Sequence, residues 1–148
     1  MAHERILIVE DENITGMDIR QTVQELGYEP IGPVASGKDA VTSALTHYPD
    51  IILMDLTLKG PMDGIQAAEA IRSQYPCPVI YVTGNSDPST FGRANASEPS
   101  GYVLKPIEER ELHAAIKMAF QRVQDGGTVE RTQDERLESP ARYERGIA

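Results

Sequence analysis

Five residues spread along this sequence have the types that divalent-metal and phosphoryl chemistry requires: Glu10, Asp11, Asp55, Thr83 and Lys105. Each follows, or ends, a short apolar run. Carboxylates brought together repel and push one another's pKa upward unless a cation neutralises them. Hard oxygen donors favour Mg2+ over softer metals. A metal beside a free carboxylate would screen an incoming phosphoryl group, while a lysine holds its oxygens and a threonine hydroxyl donates to one of them. If the fold gathers these five residues, the set suits phosphoryl transfer, and Mg2+ is the expected cofactor.

What must gather them is a parallel sheet. Arg5 to Val9, Ile31 to Val34, Ile51 to Met54 and Val79 to Val82 are short, β-branched, continuously apolar runs, and Gly101 to Leu104 is a weaker fifth. Strands apolar on both faces that alternate with helical patterns indicate a parallel sheet covered on both sides. In an open parallel sheet, ligands sit outside the carboxyl ends of the strands, and all five residues fall there.

The spacing predicts helices between the strands. The first runs from Ile14 to Leu26 and stops at Gly27, the residue expected after a C-cap. The second is N-capped by Ser36, with Asp39 three residues on, and ends before Tyr48-Pro49. The third starts near Gly64 after Asp63 and ends before Tyr75-Pro76. The fifth, Glu108 to Val123, carries Leu112, Ile116, Ala119 or Phe120, and Val123 on one stripe, with Glu108 and Glu109 suited to its positive end. Between Asp87-Pro88 and Pro99 the fourth is diluted by Gly92, Asn95 and Ser97, so it is expected to be short and loosely held. The order is (βα)5, an α/β fold with a doubly wound five-stranded parallel sheet. Residues 1–124 make the domain, and 125–148, rich in charge and poor in apolar residues after Gly126-Gly127, a polar tail or linker.

Composition narrows the function classes. Over 148 residues the formal net charge is −9. Phosphate neutralisation needs clustered Lys and Arg, so nucleic acid is not an expected partner. Cys77 is the one thiol, which excludes an internal disulfide; between Pro76 and Pro78 it reads as a small apolar residue entering a strand. No stretch approaches the roughly 20 apolar residues of a membrane helix, so no membrane partner is expected and the location expected is cytoplasmic. Gly32 to Asp39 nearly matches a P-loop, yet it lacks the final Ser or Thr, and Pro33 removes a backbone donor. It reads as a strand-to-helix turn. His3, His47 and His113 share no spacing and read as surface residues.

The segments ILIVED, DIILMD, VIYVTG and GYVLKP, in that order, carry a resemblance to the response-regulator receiver family over about residues 4 to 123, within a flavodoxin-like, CheY-like fold. Thr83 lies 28 residues after Asp55, and Lys105 22 after Thr83, as that family spaces them. The resemblance implies a phosphorelay module in which Asp55 takes a phosphoryl group from a sensor histidine kinase or a histidine phosphotransfer protein. Glu10, Asp11, Asp55 and the backbone carbonyl of Thr57 would hold Mg2+. Lys105 would bind the phosphoryl group, Thr83 would move toward it, and Tyr102 would turn inward as the switch. Thr57 and Asn85 would tune phosphoryl lifetime, and Lys105-Pro106 would be cis. The output would be a changed protein–protein interaction, including a phosphorylation-dependent homodimer, with no DNA-binding output domain in these residues and no activity beyond self-phosphorylation and autodephosphorylation.

Two other readings stand beside it. An unphosphorylated docking module would use the fold without the acceptor, but Asp55, Thr83 and Lys105 are all present. A Mg2+-dependent aspartyl phosphatase would want a second acid two residues after its nucleophile, where this sequence has Thr57.

Overall fold

The computed structural model describes residues 3–84 and 88–124. The polar segment 125–148 and Asn85 lie outside the described residues. The chain divides into two compact units, Met1–His113 and Ala114–Ala148, and of the second only the helical residues 114–124 are described.

Strands and helices alternate: β1 (Arg5–Val9), α1 (Asn13–Glu25), β2 (Glu29–Val34), α2 (Gly37–His47), β3 (Ile51–Asp55), α3 (Gly64–Arg72), β4 (Val79–Thr83), α4 (Pro88–Ala96), β5 (Gly101–Leu104) and α5 (Glu109–Gln124). All four strand pairings are parallel, in the order β2-β1-β3-β4-β5. The order reverses between β1 and β3, and in such sheets the crevice at the reversal is where ligands bind.

Strand parity explains the continuous apolar runs. Leu7, Val9, Ile52, Met54, Val79 and Tyr81 join Ala40 and Ala44 of α2 and Ile65, Ala68 and Ile71 of α3 in one buried cluster. Residues of opposite parity, including Ile6, Ile8, Leu53 and Ile80, are equally buried, because side chains alternate between faces. On α1, Ile19 and Val23 are buried at helical spacing. On α5, Leu112 is buried in the first unit, as are Ile116 and Ala119 in the second.

Helix ends follow the chemistry of their flanking residues. Ser36 accepts from the Asp39 amide, and Asp63 forms a full capping box with Gln66. In β2 the strand begins at Glu29, two residues earlier than the apolar run, because Arg5 and Glu29 pair in register despite Pro30. The supposed turn from Gly32 to Asp39 is mostly regular structure: Gly32–Val34 end β2 and Gly37–Asp39 begin α2. Both Gly32-Pro33 and Lys105-Pro106 are cis. Helix α3 stops at Arg72, three residues short of Tyr75.

Helix α4 is held by little apolar contact. It is short and buries only Ala94, yet polar contacts tie it down. Arg72 donates to the carbonyl oxygens of Ser97 and Glu98, the latter at 2.8 Å, and the Tyr81 hydroxyl lies 2.7 Å from Ser97 Oγ. Arg93 pairs with Asp63 at 3.0 Å. Long-range side chains replace the missing apolar stripe, which periodicity along α4 alone does not show.

Candidate functional site

Register brings the first two carboxylates together. Val9 pairs with Met54, so the next residue of each strand, Glu10 and Asp55, emerges at the same level of the sheet. Asp55 in turn pairs with Val82 and Thr83 with Leu104, which places Thr83 and then Lys105 one step further along the same edge. The Lys105 amide donates to the Thr83 carbonyl at 2.8 Å. Among the described residues, the polar or charged groups that are buried are Glu10, Asp55 and Thr83. Burying such groups costs free energy unless they are partnered, so their joint position at one strand edge marks a candidate site.

The ammonium of Lys105 sits between two acids, 2.8 Å from Glu10 Oε1 and 3.4 Å from Asp55 Oδ2. The Glu10 contact is an ion pair without aligned hydrogen-bond geometry, and Oε1 has no hydrogen-bond partner although it is buried. Asp55 Oδ1 accepts from the Thr57 amide at 3.0 Å and from the Thr57 hydroxyl at 3.3 Å. One oxygen each from Glu10, Asp11 and Asp55 lie within 4.8 Å of one another. Three hard oxygen donors at that spacing, two of them from the buried carboxylates of Glu10 and Asp55, fit a small divalent cation such as Mg2+.

Burial raises the Glu10 pKa above its ordinary 4.5; the ammonium of Lys105 partly offsets this and the adjacent Asp55 adds to it. For Lys105 burial works against the charge, but the adjacent carboxylates of Glu10 and Asp55 outweigh it, so its pKa is raised from 10.5. The Glu10 shift has a definite sign for stability. The native state holds this proton more tightly than the unfolded chain does, so the contribution is complete below pH 4.5 and is lost as pH rises through the raised value. In metal-free buffer the wild-type chain is therefore expected to lose stability over that window. Glu10→Gln, with no charge to bury, is expected to flatten it. Denaturant titrations in EDTA at a series of pH values check this, and an unchanged slope in the variant sinks the assignment.

Some site residues carry no chemical signature in the sequence. Gly64, read there only as the start of a helix, backs the end of β3 so closely that a Cβ would overlap the Asp55 carbonyl oxygen and lie 3.1 Å from Met54 Cγ. Gly64→Ala is expected to cost about 1–3 kcal/mol by overpacking, measured by chemical denaturation. A variant as stable as wild type would contradict the close approach. The pair Asp63-Gly64 was the available signal, but a helix start explains it equally well.

Tyr102 stands apart from the acidic cluster's contacts. Its hydroxyl donates to Asn95 Oδ1 at 3.0 Å and its ring stacks on Phe91 with centroids 5.0 Å apart. Both partners belong to α4; the sequence marked Asn95 only as diluting that helix, and Phe91 carried no signal there. Cys77 is buried, with its thiol pushed up to about 11 mainly by desolvation, as suits an inert packing residue. Among the described residues no helix is long and apolar enough to cross a membrane.

Comparison with known proteins gives a consistent result. The profile described as Response regulator receiver domain matches residues 6–117. Transcriptional regulatory protein PdtaR of Mycobacterium tuberculosis (strain ATCC 25618 / H37Rv) is 35% identical over 144 residues, covering 95% of this chain and 70% of that protein. The signal receiver domain of a modulated diguanylate cyclase from Desulfovibrio desulfuricans G20 superposes with a TM-score of 0.78 at 35% identity, over 81% of this chain and 95% of the other. The receiver domain of sensor histidine kinase PA1611 from Pseudomonas aeruginosa PAO1, solved with a magnesium ion coordinated in its active site cleft, gives a TM-score of 0.72 at 31% identity, over 80% and 99% of the two chains.

Proposed function

Because this chain belongs to the response regulator receiver domain family of two-component systems, we propose that Asp55 is its phosphoacceptor and that acylphosphate formation there switches a protein–protein surface. The observation that carries the proposal is the environment of Asp55. It is buried, with one oxygen facing the Lys105 ammonium, the other held by Thr57, and two further carboxylates close by. A structural aspartate would be served by the lysine alone and would not need Glu10 and Asp11 beside it.

In the reaction, a carboxylate oxygen of Asp55 attacks the phosphorus of a phosphohistidine on a sensor histidine kinase or histidine phosphotransfer protein. The P–O bond forms, the P–N bond breaks, and the imidazole leaves with its electron pair. Glu10, Asp11, Asp55 and the Thr57 carbonyl would hold Mg2+, which would supply positive charge to screen the approach of two anions. Lys105 shifts from Glu10 and Asp55 to the transferred phosphoryl oxygens, and Thr83 donates its hydroxyl to one of them. That demand on Thr83 is coupled to Tyr102, which must leave Asn95 and Phe91 if its ring turns inward. Response regulators are not conventional enzymes, and the activity proposed is limited to self-phosphorylation and autodephosphorylation. Residues 1–124 form the receiver in this reading, 125–148 a polar tail or linker, and the setting is cytoplasmic.

Incubation with acetyl phosphate and Mg2+, followed by intact mass measurement, tests the proposal. A gain of one phosphoryl group that EDTA prevents is expected. No gain in the native chain would leave a docking module, and turnover of a phosphomonoester at an ordinary enzymatic rate would make the protein a hydrolase.

A further inference from the structure

Each of the three acids at the site has one oxygen held by a backbone amide. Glu10 Oε2 accepts from the Glu12 amide at 3.2 Å and Asp55 Oδ1 from the Thr57 amide at 3.0 Å, both two residues downstream. Asp11 Oδ2 accepts from the Lys59 amide at 3.1 Å, and this donor is 48 residues away. The first two clamps are local and follow from the chain leaving its strand. The third exists only because the β3–α3 turn folds back over the end of β1.

That turn is pinned on both sides of Lys59. Leu56 and Leu58 are buried in the core, leaving Thr57 and Lys59 between and beyond them exposed. On the far side Met62 lies against the start of α2, where a Cβ on Gly37 would come within 2.6 Å of the Met62 carbonyl oxygen. Between these anchors the chain reverses at Gly60, whose φ of +99° lies in the region that L side chains rarely adopt. Thr57 and Lys59, alternate residues of one turn, thus present their amides to two different carboxylates.

We propose that this turn, through the Lys59 amide and the backbone reversal at Gly60, sets the cation selectivity of the site by holding Asp11 as a one-oxygen ligand. A carboxylate with one oxygen held by an amide presents the other more freely to a metal, which disfavours two-oxygen coordination. Mg2+ takes a few such ligands in a compact octahedron, whereas Ca2+ favours more oxygens and often binds both atoms of one carboxylate. Freeing Asp11 from Lys59 removes the orientation Mg2+ needs and opens the two-oxygen mode that suits Ca2+. Lys59 and Gly60 are positioning residues, since neither contributes a side chain to the metal. The inference rests on the Mg2+ site proposed above.

Magnesium and calcium titrations of the full chain, followed by calorimetry and by the amide resonances of Thr57 and Lys59, test it without a phosphoryl donor. Lys59→Pro deletes the donor, Gly60→Val disfavours the reversal, and Lys59→Ala keeps the amide. For the first two, Mg2+ affinity is expected to fall by about tenfold, the scale of lost contacts that orient a metal ligand, while Ca2+ affinity falls less or rises. Lys59→Ala is expected to match wild type. Metal-free melting curves report folding separately, so a variant that does not fold is replaced by the other. A native Mg2+/Ca2+ ratio in a folded Lys59→Pro or Gly60→Val chain overturns the inference, as does an equal loss in Lys59→Ala. If the wild-type chain binds no Mg2+, the underlying site assignment fails with it.

Discussion

Asp55→Asn is expected to abolish the gain of one phosphoryl group that acetyl phosphate and Mg2+ confer on the wild-type chain, while leaving the fold intact. Asparagine matches aspartate in shape and can still accept the Thr57 amide through its carbonyl oxygen, so the turn at 3.0 Å from Oδ1 keeps its partner. What it lacks is an anionic oxygen able to attack phosphorus. The substitution also removes one of three acids that cluster within 4.8 Å. A bound ion stabilises the native state in proportion to its affinity, so the rise in melting temperature on adding Mg2+ should shrink in the variant. Intact mass and a pair of melting curves, with and without Mg2+, read both effects. A phosphoryl gain that persists in Asp55→Asn would place the acceptor elsewhere and remove the main support for the proposed function.

The second large effect is expected from Lys105→Met, and it has two opposed parts. The lysine ammonium neutralises Glu10 at 2.8 Å and Asp55 at 3.4 Å. Removing it takes away the cation that competes with a metal for those oxygens, so Mg2+ should bind more tightly. The same change deletes a preorganised charge aimed at the transferred phosphoryl group, and losing one such donor slows reaction by about a hundredfold. Tighter Mg2+ binding together with slower phosphorylation separates this role from that of a structural counter-ion. If Lys105 only balanced charge, saturating Mg2+ would do the same work and restore the rate. A restored rate, or weaker Mg2+ binding, would therefore remove Lys105 from the phosphoryl-binding role. Without metal the variant should be less stable than wild type, because Glu10 remains buried with no positive partner.

The arrangement of α4 bears on how a signal could leave this site. Helix α4 and the residues just after it are tied by polar contacts: the exposed Arg93–Asp63 pair, and the bonds of Arg72 and Tyr81 to Glu98 and Ser97. Exposed ion pairs of this kind contribute little, typically up to about 1 kcal/mol. Tyr102 adds a hydrogen bond to Asn95 and a stack on Phe91. A helix tied by such contacts, with Ala94 its buried residue, can be repositioned at modest cost.

Asp55, the acidic pair, the threonine and the lysine were legible as residues at the ends of apolar runs, because a buried parallel strand must be apolar throughout and the first polar residue after it must lie at the sheet edge. The order of strands and helices followed from the same rule, and apart from β2 and α3 the element ends fall within about two residues of the expected ones. Local chemistry therefore determined the fold class and the identity of the site's charged groups. Three things depended on tertiary structure. The Val9↔Met54 register decides that Glu10 and Asp55 meet. The turn at Gly60 decides that a backbone amide from residue 59 reaches Asp11. The packing of α3 decides that Gly64 lies against the Asp55 carbonyl. Each joins groups distant in sequence through backbone atoms, and every residue has the same backbone amide and carbonyl, so no side-chain pattern announces them.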